Sequence, residues 1–187
     1  MKATDLQNRE WKACWIWDAP QPEKASEQIL VYFRKTFHLD EAARLTLDIT
    51  ADSRYILYVN GTRICVGPCK STRHTHYYET VDVSEHLRLG TNVIAVKVLR
   101  YPSAEPFPYG VGGPTSIWRS QAAGLFVEGE LRNDRDEVIG SVHTDASWKV
   151  LRHKGYRSRP GMLIFWMGGL EEVYADQAPL DWHLPEY

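Results

Sequence analysis

The sequence predicts an all-β chain, an antiparallel β-sandwich of jelly-roll type, on three observations. Eight or more short runs rich in aromatic and β-branched residues are separated by turn signals. One of those boundaries, Asn60-Gly61, carries the chemistry of a two-residue hairpin turn. No stretch holds the period of a helix longer than about two turns. Two facing antiparallel sheets are the stable way to bury one face of each, with an open barrel as the structural alternative.

The elements follow in order. Trp11 to Trp17 is a short apolar run closed by Asp18-Ala19-Pro20-Gln21-Pro22, and it reads as a strand packed by its tryptophans before a proline-rich turn. Gln28 to Leu39 is long, aromatic and β-branched, a second strand. In Arg44 to Ala51, Leu45, Leu47 and Ile49 alternate with Thr46, Asp48 and Thr50, the pattern of a half-buried antiparallel strand. Tyr55 to Val59 and Thr62 to Val66 then flank the Asn60-Gly61 turn, whose positive φ angles match the strand twist and set the register.

A polar connection leads to a strand from Tyr77 to Val83, after which Ser84 is placed to cap one helical turn, Glu85 to Arg88, ending at Leu89-Gly90. Thr91 to Leu99 is another strong strand, with Ile94, Val96 and Val98 on one face. Tyr101 to Gln121 is crowded with Pro, Gly and aromatics and has no period. Such a long loop is functional or mobile, and this one is expected to be the most mobile internal stretch. Leu125 to Leu131 restores alternation and pairs with Val138 to His143 across Asn133-Asp134. Trp148 to Arg152 adds a short strand, and Gly155 to Gly169 reads as loop.

A chain of 187 residues buries about 70% of the surface its unfolded form exposes, so one domain with or without a tail needs no covalent staple. Three cysteines, Cys14, Cys65 and Cys69, fit a reducing compartment better than a disulfide framework. The Cys65/Cys69 spacing lacks a second cysteine pair, with only His74 and His76 nearby, so no metal site is expected. Met1 to Trp17 has neither the apolar segment nor the cleavage site of a secretory signal, and no stretch reaches a membrane span; a cytoplasmic location is expected. A net charge of -2 with mixed signs excludes a footprint for nucleic acid or an anionic membrane.

Seven Trp, ten Tyr and five Phe supply aromatic surface for a core, a sugar-stacking site or a domain interface. Phe107, Tyr109 and Trp118 of the long loop, with Tyr77 and Tyr78, form the set expected to contact another domain or a sugar. Asp52 and Arg54 read first as a turn aspartate and a strand-opening arginine, and second as polar sugar contacts. Asp52, Glu79, Asp82, Glu128 and Glu130 offer no pair that stands out as a glycosidase dyad. His143, Asp145 and Ser147 supply the residue types of a hydrolytic triad without a G-x-S-x-G elbow. Gly110 to Pro114 lacks the lysine and helix of a phosphate loop. No catalytic residue is assigned and no cofactor is expected.

Several strings in fixed order carry a family resemblance: Trp15-Ile16-Trp17, Tyr32 to Phe37, Ala51 to Gly61 with Val66-Gly67-Pro68, Tyr78 to Ser84, then Leu87, Gly90 and Asn92 to Val96. Over about Trp11 to Leu99 the chain resembles the N-terminal β-sandwich region of bacterial α-L-rhamnosidases, glycoside hydrolase family seventy-eight. The Gly90-x-Asn92-x-Ile94-Ala95-Val96 strand is shared with sugar-binding sandwiches of other glycosidases such as β-galactosidases. The resemblance implies a galactose-binding-domain-like sandwich in a parent that removes terminal L-rhamnose with inversion. The catalytic carboxylates of such a parent sit in a later (α/α)6 barrel.

On that reading residues 1–175 are an accessory domain, and 176–187 begin a linker to downstream domains of the same polypeptide. The expected role is to brace the catalytic domain and wall one side of its cleft. The alternative is an independent module that binds L-rhamnose or a related, rhamnose-containing saccharide. A third reading, a self-sufficient small hydrolase, predicts rhamnoside hydrolysis by these residues alone. Related modules that bind rhamnose with calcium carry Pro-Gly-Trp-Thr after the hairpin. Here Gly67-Pro68-Cys69-Lys70-Ser71 stands instead, and no metal ligand is carried over.

Overall fold

A computed structural model describes residues 9–18, 28–69, 76–101, 122–159 and 170–187. In chain order the strands are β1 (Ile29–Leu39), β2 (Arg44–Asp52), β3 (Arg54–Val59), β4 (Thr62–Gly67), β5 (Glu79–Asp82) and β6 (Gly90–Arg100). They continue as β7 (Gly124–Glu128), β8 (Glu130–Arg132), β9 (Val138–Ser141), β10 (Lys149–Arg152), β11 (Tyr156–Arg159) and β12 (Leu170–Val173). The first sheet runs β10-β1-β6-β3-β4; the second runs β5-β2-β8-β9, with β7 also paired to β2. Among the described residues every strand pairing is antiparallel, as the sequence predicts for a sandwich.

Alternation explains the core. Val31 and Phe33 of β1, Leu57 and Val59 of β3, and Ile94, Val96 and Val98 of β6 project from the first sheet. They meet Leu45, Leu47 and Ile49 of β2 with Leu125, Val127 and Leu131 of β7 and β8. Each of these is almost or wholly removed from solvent, which stabilises by roughly 1.5–3 kcal/mol per large aliphatic or aromatic side chain before chain entropy is set against it. Trp148 joins the core with its indole N–H donated to the His143 carbonyl at 2.9 Å, so a large ring is buried without orphaning its donor.

The hairpin turn has the geometry its residues dictate. Asn60 and Gly61 lie at φ 48° and 87°, the left-handed region that Asn and Gly enter most readily. The turn sets only the first pairs, Val59 to Thr62 and Tyr58 to Arg63; beyond them the register shifts and Leu57 faces Cys65, leaving Ile64 as the extra residue. Asn60 also ties the turn to the sandwich: its side-chain amide donates to the His86 carbonyl and to Asn92 Oδ1, each at 2.8 Å, and its Oδ1 accepts the Val93 amide at 2.8 Å.

Several expectations need correction. Trp11 to Trp17 is not a strand: it runs extended over the second sheet with a single bridge, Ile16 to Leu125, because its hydrogen bonds go to side chains as much as to a neighbouring strand. β2 is not half-buried, since Asp48, Thr50 and Asp52 on its outer face are also covered. Ser84 does not cap a helix. It lies inside a 3-10 turn, Ser84–His86, where its amide and hydroxyl donate to Asp82 and its Oγ accepts the Leu45 amide. Part of Gly155 to Gly169 is strand, β11, paired with β12. The long loop's residues 102–121 lie outside the described residues.

The outer face of the first sheet is covered by the chain's last described residues. Arg34, buried in β1, donates to the Trp182 and Leu184 carbonyls at 3.2 and 3.0 Å. The Trp182 ring lies 4.7 Å from Tyr32 and 5.8 Å from Tyr58. Replacing Asn60 with Ala removes three hydrogen bonds and leaves the buried Val93 amide unpaired. Urea unfolding should show a loss of about 2–3 kcal/mol. A change within about 0.5 kcal/mol, the range of ordinary surface substitutions, would show that the turn is not a tertiary anchor.

Candidate functional site

Among the described residues, those singled out in the sequence do not gather at one place. Asp52 ends β2 almost fully buried and accepts the Ser53 hydroxyl at 2.9 Å, while the Tyr101 amide donates to Ser53 Oγ at 3.1 Å. Arg54 is exposed on the first sheet, where with Tyr55, Val66, Lys97, Glu171 and others it lines a cavity of about 290 Å³. Tyr77 and Tyr78 lead into β5 on the second sheet, the first exposed and the second half-buried. Phe107, Tyr109 and Trp118 lie outside the described residues.

What the structure does bring together is the segment 9–18 and the outer face of the second sheet. Alternation places Asp48 of β2, Thr80 of β5 and Glu128 of β7 on that face. Arg9 reaches across it, donating from Nη1 to Asp48 at 2.5 Å and from Nη2 to Glu128 at 2.9 Å. Asp48 also accepts the Thr80 hydroxyl at 2.6 Å. The second oxygen of Glu128 accepts the backbone amides of Lys12 at 2.7 Å and Ala13 at 2.9 Å. A buried carboxylate is costly unless paired and hydrogen-bonded, and Glu128 is both. Burial alone would raise its pKa, but the Ala13 and Lys12 amides and the Arg9 guanidinium together hold it below the ordinary 4.5.

Downstream of Glu128's anchor the segment is held by backbone. The Cys14 amide donates to the Thr144 carbonyl at 2.9 Å, and Ile16 and Leu125 exchange two bonds of 3.0 Å. The Thr144 hydroxyl donates to the Cys14 carbonyl at 2.6 Å. Two surfaces result. Around Arg9, Glu10 and Lys12, a polar groove of about 750 Å³ runs over Thr46, Asp48, Thr80, Asp82, Glu130 and Arg132. Beyond Trp11, an aromatic cavity of about 370 Å³ is lined by Trp11, Ala13, Trp15, Thr50, His76, Tyr78 and Phe126. Tyr78 borders both.

The aromatic cavity is the feature missed from sequence. Its signal was present in the period-two placement of Trp11, Ala13 and Trp15, which puts all three on one side of an extended chain. The Trp11 ring meets Tyr78 and Phe126 edge-on, each at 5.2 Å, and the Arg9 guanidinium lies 4.0 Å from its centroid. Trp15 packs against Phe126 at 5.6 Å and lies on Gly124: a Cβ there would fall 2.5 Å from the indole Cε3.

Carboxylates that could do acid–base chemistry are engaged in structure. Glu79 accepts the Tyr55 hydroxyl at 2.7 Å and the Cys69 amide at 2.6 Å. Glu130 pairs with Lys12 and Arg132, both at 2.6 Å, and these partners hold its pKa down. His143 Nδ1 accepts the Gly129 amide at 3.3 Å, while the Ser147 hydroxyl donates to Asp145, so those three do not form a relay. Among the described residues no three His, Cys, Asp or Glu side chains gather as metal ligands, and no helix is long and apolar enough to cross a membrane.

The architecture, two facing antiparallel sheets, is a sandwich fold that also occurs as a domain within glycoside hydrolases. It superposes on the crystal structure of a family GH78 rhamnosidase of Bacillus sp. GL1 with a TM-score of 0.72 and 31% identity, over 96% of this chain and 17% of that one. Residues 40–183 match the alpha-L-rhamnosidase N-terminal domain, and the chain belongs to that family. The alpha-L-rhamnosidase from Dictyoglumus thermophilum superposes with a TM-score of 0.66 and 21% identity, over 97% of this chain and 20% of that one. A lectin of Pleurotus ostreatus shares the fold at 22% identity and a TM-score of 0.55, over 86% of this chain and 41% of the lectin. No curated protein matches by sequence. The chain thus spans about a fifth or less of the rhamnosidases it matches.

Because Glu128 is held below its ordinary pKa, it stabilises the 9–18 segment above the ordinary carboxyl range, and that contribution is lost as pH falls through the lower folded value. Acid titration followed by tryptophan emission should therefore show a red shift below pH 4.5 that is absent or much reduced in Glu128→Gln. The variant should already be red-shifted at neutral pH. Superimposable titrations would show that Glu128 does not anchor the segment.

Proposed function

We propose that this chain is a non-catalytic N-terminal accessory domain of an α-L-rhamnosidase-like glycoside hydrolase, bracing an (α/α)6 catalytic domain and walling one side of its substrate cleft. The observation that carries the reading is coverage: nearly the whole chain matches a small part of a rhamnosidase, 96% against 17%. The engagement of Glu79, Glu128 and Glu130 in structural bonds supports a role without acid–base chemistry. On this reading residues 1–175 are the accessory domain, and 176–187 lead toward downstream domains. Tyr77, Tyr78, Phe107, Tyr109 and Trp118 are interdomain or sugar contacts, with the exposed Arg54 as a lesser polar one, while Asp52, almost fully buried and bonded to Ser53, is structural. Three free cysteines, Cys14, Cys65 and Cys69, support a reducing, cytoplasmic setting.

Two assays test the proposal. The 187-residue chain alone should not hydrolyse para-nitrophenyl α-L-rhamnoside. Deleting residues 1–175 from the parent enzyme should lower the temperature at which rhamnosidase activity is lost by several degrees. Turnover by the chain alone, or a truncated parent with unchanged activity and thermal tolerance, would overturn it.

A further inference from the structure

The cavity beside Trp11 and Trp15 has a form that bracing does not require. Trp11 and Trp15 are 37% and 49% exposed, yet both are fixed in place. Arg9, itself held by Asp48 and Glu128, lies over the Trp11 ring, and the bare Cα of Gly124 seats Trp15. Large aromatic side chains left in contact with water but denied freedom to move are a binding surface already prepared, because ordering them costs nothing further when a ligand arrives. The cavity's volume of about 370 Å³ falls within the range of about 300–1,000 Å³ seen for small-molecule sites.

We propose that this cavity binds one pyranose ring of a neutral saccharide. A pyranose has a C–H face and a rim of hydroxyls. The walls from Trp11, Trp15 and Phe126 suit the first; His76 and Tyr78 supply polar atoms for the second. The polar groove that meets the cavity at Tyr78 provides charged and hydroxyl groups along which a further sugar unit can hydrogen-bond. An apolar protein side chain would fit the cavity but would leave that groove unmatched, which favours an amphiphilic, polyhydroxylated ligand over a protein partner. The site shares Tyr78 with the proposed contact set but does not depend on the bracing role, since it is built from the outer face of the second sheet and the segment laid across it.

The test is a titration of the intact 187-residue chain with L-rhamnose, D-galactose and D-glucose, followed by the tryptophan indole N–H signals in NMR. At least one of the three should shift the Trp11 and Trp15 signals saturably, with millimolar affinity. Trp15→Ala should weaken that binding about tenfold or more, the equivalent of roughly 1.4 kcal/mol. Gly124→Ala, which pushes the indole from its seat without deleting it, should weaken it as well and guards against an unfolded Trp15 variant. Tyr187→Ala, beside Arg34 on the opposite sheet, should leave it unchanged. No saturable shift with any of the three sugars up to about 100 mM, far above the millimolar scale of weak sites, would overturn the proposal. So would binding that survives both the Trp15 and Gly124 substitutions.

Discussion

The side chain on which the outer architecture of the second sheet depends is Glu128. Its two oxygens take Arg9 on one side and the Lys12 and Ala13 amides on the other, and Arg9 carries the network on to Asp48 and Thr80. Without this set, the sheet would bury two carboxylates with no counter-charge, which costs far more than an exposed pair gains. With it, a segment more than a hundred residues away in sequence becomes a fixed part of the surface. Everything distinctive about that face follows: the position of Trp11, the seat of Trp15, and the division into a polar groove and an aromatic cavity.

The two sheets are treated alike in one respect. Each has an inner face that makes the common core and an outer face covered in part by a flanking segment tied down through an arginine. On the first sheet Arg34 belongs to the strand and reaches out to backbone carbonyls of Trp182 and Leu184. On the second, Arg9 belongs to the segment and reaches in to carboxylates of the strands. Arginine suits both uses because its planar fork offers several donors at once and keeps its charge. This double cover explains why β1 and β2 bury residues on both faces although the sheets are antiparallel.

The sandwich itself was readable because strand alternation and turn chemistry are local. Leu45, Leu47 and Ile49, or Ile94, Val96 and Val98, declare a buried face within a few residues, and Asn60-Gly61 declares a turn within two. The family resemblance was readable for the same reason, since its strings are those strands. What was not legible depends on distance. Trp11 to Trp17 has the apolar content of a strand, yet its partners are a glutamate side chain, Thr144 and one isolated bridge to Leu125. β11 escaped notice because Tyr-Arg-Ser-Arg has no apolar alternation and is fixed by pairing with β12. The aromatic cavity escaped because Trp11, Tyr78 and Phe126 meet only after the sheet has formed. Composition showed that aromatics were abundant but not which of them would remain partly exposed.

The central claim is that residues 9–18 are a built part of the second sheet's outer face rather than a loose leader. Backbone hydrogen exchange tests it most directly, through the amides of Lys12, Ala13, Cys14 and Ile16. Their acceptors are Glu128, Thr144 and Leu125, so they should be protected to a degree comparable with the neighbouring amides of β7. Exchange at the rate of an unstructured peptide, with β7 still protected, would contradict the account.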